Sequence, residues 1–186
     1  MLESAAPASA CVATTATRVF QVVINAPVET VWKEITRTDA PIACFFNSQM
    51  HVGRAGLAPG SRLAMRTPNG KLTGVVGKIL EVEPNRRLSH TFKFTRLDDP
   101  ECTVTYDLKP LRGGEATEFT LTVDNMPLGT KTAKQMEMGG KVITKTLKAV
   151  VETGRPTLDI RFFYAVFGVL ALLLPAKCRS ENWPVN

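Results

Sequence analysis

Histidine and cysteine are scarce in this chain of 186 residues, which has two histidines (His51 and His90) and four cysteines (Cys11, Cys44, Cys102 and Cys178), none of the latter in a CxxC pair. So thin a scatter does not supply the roughly four closely spaced ligands of a zinc site. The acidic residues that do cluster, Asp98, Asp99 and Glu101, share one turn and fall short of the oxygen count a hard cation requires. No metal and no cofactor is expected. The opening residues 1–17 are rich in Ala, Ser and Thr, carry Glu3, and lack the apolar run of a secretory signal. Only Arg18 follows them where a transit peptide would carry several arginines. Scattered thiols without an export signal point to a reducing, cytoplasmic setting.

An extreme charge is also missing. Lys plus Arg number 23 against 17 Asp plus Glu, a formal +6, which favours anionic surfaces in general. Lys131, Lys134, Lys141, Lys145 and Lys148 gather on one side of a predicted helix, but no aromatic residues are interleaved and no double-strand reading module is present. The stripe reads as a solvated helix face, and no nucleic-acid partner is expected.

What the sequence does have is 44% apolar residues in a length that suits one core. Arg18 to Asn25 alternates, with Phe20, Val22 and Ile24 on one face, as a strand does. A short helix follows, with Asn25 as cap, Pro27 in the first turn, and Val28, Val31, Trp32 and Ile35 at helical spacing. A second short helix is predicted over 40–46. Between Met50 and Met126, alternating runs at 61–67, 72–83, 87–97, 102–111 and 115–125 are separated by Gly, Pro, Asn and Asp turns, the pattern of an antiparallel meander. From Thr130 to Glu152 the period becomes helical, with Met136, Gly139, Ile143, Leu147 and Val150 on one side and Gly154 and Pro156 as the stop.

These elements predict an α+β fold: a curved antiparallel sheet of about six or seven strands wrapped around one long C-terminal helix, the only element able to cover the sheet's apolar face. Alternation assigns that face to Leu63, Met65, Leu88, His90, Phe92, Phe94, Val104, Tyr106, Leu108, Phe119, Leu121 and Val123. Ser89, Thr91, Thr103 and Thr105 fall on the opposite, solvent-compatible face. The predicted ligand-lining set is Leu63, Met65, Leu88, His90, Phe92, Phe94, Val104, Tyr106, Phe119, Leu121, Met136, Gly140, Ile143 and Leu147. His90 and Tyr106 are its polar members, either orienting a ligand or satisfying each other or a buried water. They are also the candidates for general acid and base, although no Asp or Glu joins them on the inner face.

The segments Ile24–Trp32, Thr67–Gly74, Gly77–Leu88 and Gly139–Glu152, taken in that order, resemble the START-like (SRPBCC, helix-grip) superfamily. The branch they are most similar to contains the C-terminal domain of the heat-shock-protein-90 ATPase activator. The resemblance spans about 18–156. It implies a helix-grip cavity for an apolar small molecule, lipid-like or polyketide-like. The alternatives it brings are a cyclase- or dehydratase-like enzyme using the cavity and a chaperone-partner or membrane-associated interaction protein. Where family members commonly carry a Gly-Trp pair in the long helix, this chain has Gly139-Gly140, which implies extra room or looseness beside the cavity. The aromatic pair usual after the first helix stands as Phe45-Phe46.

The domain reading is a flexible segment 1–17, the START-like domain 18–156, and an apolar C-terminal helix and tail 157–186. From Phe162 to Leu174 the tail is apolar on every side and must be covered by something. At about 22 Å for 162–176 it falls short of the roughly 30 Å of a bilayer. Packing on the body, a homodimer contact, a peripheral membrane contact and a cap over the pocket are the expected uses.

Overall fold

The computed structural model describes residues 14–170 and 174–186, without the side chains of 163 and 166–170. The predicted flexible segment and Cys11 thus lie mostly or wholly outside the described residues, as does part of the apolar run 162–174.

The strands are β1 (Thr15–Ile24), β2 (Gln49–Val52), β3 (Arg62–Arg66), β4 (Thr73–Glu83), β5 (Arg87–Phe94), β6 (Cys102–Leu111) and β7 (Ala116–Pro127). Between β1 and β2 lie α1 (Val28–Thr36) and a single 3₁₀ turn at Ala43–Phe45; α2 (Lys131–Thr153) and α3 (Leu158–Leu170) follow β7. The strands form one antiparallel sheet in the order β1-β7-β6-β5-β4-β3-β2. This is the predicted α+β helix-grip architecture.

Four details differ from the sequence reading. Asn25 does not cap α1: Pro27 precedes Val28 with no side-chain cap, and the Asn25 amide instead donates to Glu152 at 2.9 Å. β1 begins at Thr15, because pairing with Pro127 of β7 extends it through residues assigned to the N-terminal segment. The second short helix is a 3₁₀ turn ended by Phe46 at φ 56°. The strand β2 was not legible, since four residues are too few to establish a period; its pairing with β3 identifies it.

The core lies between the concave face of the sheet and α2. Ile24, Leu63, Leu88, Val104, Phe119, Leu121 and Val123 are buried against Met136 and Leu147. Helix α2 is bounded as its sequence dictates: the Thr130 hydroxyl accepts from the Ala133 N–H at 3.1 Å. Gly154, at φ 78°, closes the other end with its N–H on the Val150 carbonyl at 2.8 Å. The convex face is less open than alternation predicts. Ser89 and Thr105 are buried there, their hydroxyls 3.0 Å apart and hydrogen-bonded across β5 and β6.

Candidate functional site

A cavity of about 270 Å³ opens between the sheet and α2. Its walls come from every layer: Leu63 and Met65 of β3, His90, Phe92 and Phe94 of β5, Val104 and Tyr106 of β6, Leu121 of β7, and Met136, Gly140 and Ile143 of α2. These members of the predicted set are brought together. Leu88, Phe119 and Leu147 are not among the lining residues; each is fully buried in the surrounding core. Three contributions lie outside the predicted lining set, although a cap over the pocket was one expected use of the tail. Phe45, Phe46 and Met50 enter from the turn and β2, Leu72 from just before β4 and Val75 from its start, and Tyr164, Leu174 and Cys178 from the tail. Their signal was weak because no periodicity marks a turn or a tail, although the Phe45-Phe46 pair was itself conspicuous.

Strand register explains the polar pair. His90 stands opposite Val104 and Leu88 opposite Tyr106, so His90 and Tyr106 are diagonal neighbours on one face, their ring centroids 5.7 Å apart. They do not bond each other. His90 Nδ1 lies 2.8 Å from the Thr91 carbonyl oxygen, which can only accept, so Nδ1 carries the proton and Nε2 presents its lone pair. Burial lowers the His90 pKa, against the opposing effect of that bond, and keeps the ring neutral. Burial likewise pushes the Tyr106 phenol far above its ordinary value, so it remains a donor. Neither Nε2 nor the Tyr106 hydroxyl bonds another described residue. Tyr106 is packed between Phe45 and Phe119, with centroids at 5.4 and 5.9 Å.

Among the described residues no carboxylate lines the cavity. Arg96, at the rim, bonds the Gln135 amide oxygen at 2.5 Å. No group of three or more His, Cys, Asp or Glu side chains is placed to hold a metal among the described residues. Gly140 does not leave the room its sequence implied. A Cβ built there would overlap the Phe20 ring, at 2.6 Å from its Cζ, so a β1 side chain occupies the space above the glycine.

The tail contributes Tyr164, Leu174 and Cys178 to the cavity wall. The Tyr164 hydroxyl donates to the Ala43 carbonyl at 2.6 Å, anchoring α3 to the turn after α1. Beyond α3, Arg179 bridges Leu72, and the Ser180 N–H donates to the Lys71 carbonyl at 3.0 Å. The Lys177 ammonium lies 3.0 Å from the Asp98 carboxylate. Cys178, with no exposed surface, sits against Thr95, Sγ to Oγ1 3.5 Å. Leu158 and Phe162 of α3 face outward, 78% and 73% exposed. No helix among the described residues is long and apolar enough to cross a membrane.

A curved seven-stranded sheet gripping a long helix around an apolar cavity defines a protein of the START-like, helix-grip class. Within that class the chain belongs to the family of Activator of Hsp90 ATPase homolog 1-like proteins, whose model matches residues 25–152. It is similar in structure to DynU16, a protein in the dynemicin biosynthetic locus, with 25% identity over 75% of this chain and a TM-score of 0.58. The chain spans about half, 48%, of DynU16's length. It is also similar to the Aha1 dimer from Colwellia psychrerythraea, with 17% identity, 75% of this chain and 98% of that one covered, and a TM-score of 0.58. CalU16 from Micromonospora echinospora gives 21% identity, 84% and 87% coverage, and a TM-score of 0.56. No curated protein sequence matches the chain.

Proposed function

We propose that the chain binds a hydrophobic small molecule in the cavity between the sheet and α2, as a carrier or binding module. The observation that carries this reading is the wall itself. Packed interiors hold few voids larger than a water molecule, whereas this one keeps about 270 Å³ open behind Phe, Leu, Val and Met side chains. That volume is close to the lower end of ligand pockets. DynU16's place in the dynemicin biosynthetic locus supports the same reading. Apolar ligands added to the purified chain should raise its melting temperature by mass action. A panel spanning fused-ring aromatics, fatty acids and sterols that leaves the melting curve unmoved would refute the reading.

Among the described residues no carboxylate stands beside His90, which favours binding over acid–base turnover, because a general base of this kind is ordinarily held and charged by a partner. Here the ring's hydrogen bond among the described residues is to the Thr91 carbonyl. Contact with a second protein, a chaperone or another copy of this chain, is the second reading. It is supported by the family and by the outward-facing Leu158 and Phe162. Sedimentation velocity of the wild type against Phe162→Ser tests the second copy; a monomer in both cases removes it.

A further inference from the structure

We infer that the ligand of this cavity is a neutral aromatic alcohol of about two fused rings, its hydroxyl seated between His90 Nε2 and the Tyr106 phenol. The inference rests on the binding function proposed above and narrows it to a chemical class.

Three observations converge. The first is size. A dry cavity of about 150 Å³ accommodates benzene, so about 270 Å³ suits roughly two rings. The second is the wall: Phe45, Phe46, Phe92 and Phe94 surround the space, with the Phe92 and Phe94 rings 4.8 Å apart at 87°. Such edge and face surfaces favour a flat ring over a branched aliphatic body. The third is the polar pair. The Nε2 lone pair seeks a donor, the Tyr106 O–H seeks an acceptor, and both groups are at least nine-tenths buried without a described partner. A hydroxyl is the small group that gives a proton to one and takes a proton from the other. A carbonyl would satisfy Tyr106 alone, and an indole N–H would satisfy His90 alone. A carboxylate would bring a charge into a space whose one cation among the described lining residues, Arg96, stands at the rim, and burying an unpaired charge is unfavourable.

The test is isothermal titration of the full chain with 2-naphthol, naphthalene and 2-methoxynaphthalene, repeated on Tyr106→Phe. Two neutral hydrogen bonds predict 2-naphthol binding about tenfold tighter than naphthalene. The methyl ether, which has no proton for His90, should lose most of that advantage. Tyr106→Phe should weaken 2-naphthol several-fold and leave naphthalene unchanged. Equal affinity for all three probes in the wild type would overturn the hydroxyl assignment while leaving the apolar binding function intact. This comparison needs no variant to fold. Binding of none of the three would overturn the aromatic class, and the wider panel then decides whether the binding function falls with it.

Discussion

Gly140 of α2 lies directly beneath the Phe20 ring of β1, so closely that any side chain at 140 must displace that ring. Two effects of Gly140→Ala therefore oppose each other. Alanine favours an interior helical position by up to about 1 kcal/mol, whereas forcing atoms into an occupied space costs about 1–3 kcal/mol. The steric effect wins while Phe20 is present. Gly140→Ala should destabilise the wild type by about 1 kcal/mol and become stabilising in a Phe20→Ala background, a reversal of sign that urea denaturation of the four proteins reads directly.

Gly77 answers to a harder neighbour. A Cβ there would overlap the Thr91 carbonyl oxygen and lie 2.9 Å from its carbon, both backbone atoms of the paired strand. Nothing flexible can yield, so Gly77→Ala should cost roughly 2–3 kcal/mol. The same carbonyl accepts from His90 Nδ1, so the variant should also disturb the ring and weaken ligand binding. Gly74→Ala is the control. Its Cβ would come no closer than 3.9 Å to Met65 O, and its stability should be unchanged or slightly raised.

Burial of neutral His90 fixes the sign of a pH effect. Above the unfolded-state value, near 6.5, the ring is neutral in both states and contributes nothing. Below it the unfolded chain takes up a proton that the buried ring refuses, so stability falls as pH drops from about 6.5 and levels off below the folded value. The slope approaches about 1.4 kcal/mol per pH unit. His51, also lowered by burial but partly exposed, adds a smaller effect of the same sign. Glu34, raised chiefly by burial, acts oppositely at the acid end. Denaturation between pH 5 and 7 should show the fall in wild type and His51→Gln, and a flatter profile in His90→Leu.

The tail is fastened by contacts that a truncation can count. Removing residues 175–186 exposes Thr95 and Thr73, deletes buried Cys178 and breaks the bridge from Arg179 to Leu72. Loss of this packing should lower stability by about 1–3 kcal/mol and, since Cys178 is part of the cavity wall, speed ligand release. Melting and stopped-flow release of a fluorescent naphthol report the two effects. Unchanged values for both would mean the tail rests on the body without sealing the cavity.

The parts of this molecule that repeat were legible and the parts that do not were hidden. Period-two alternation placed His90 beside Tyr106, since adjacent meander strands must pair and a shared inner face follows. Helical spacing, the Thr130 start and the Gly154 stop delimited α2. Phe45, Phe46, Tyr164 and Leu174 reach the cavity from a 3₁₀ turn and a tail, whose positions depend on tertiary packing and have no period to read. The Gly140 substitution misled for a related reason. The sequence shows which ring is missing from the helix, but not that Phe20 arrives from another element to fill the place. Burial of Ser89 and Thr105 was hidden because two hydroxyls that satisfy each other can sit inside on a face that reads as polar.

Native mass spectrometry of the purified chain after incubation with the apolar panel tests most directly whether the cavity is a binding site. The wild type should carry one equivalent of bound small-molecule mass that is lost on denaturation. Ile143→Trp, which places an indole in the cavity, should carry none while melting as a folded protein. An unliganded mass for the wild type under every condition, or equal loading of Ile143→Trp, would contradict it.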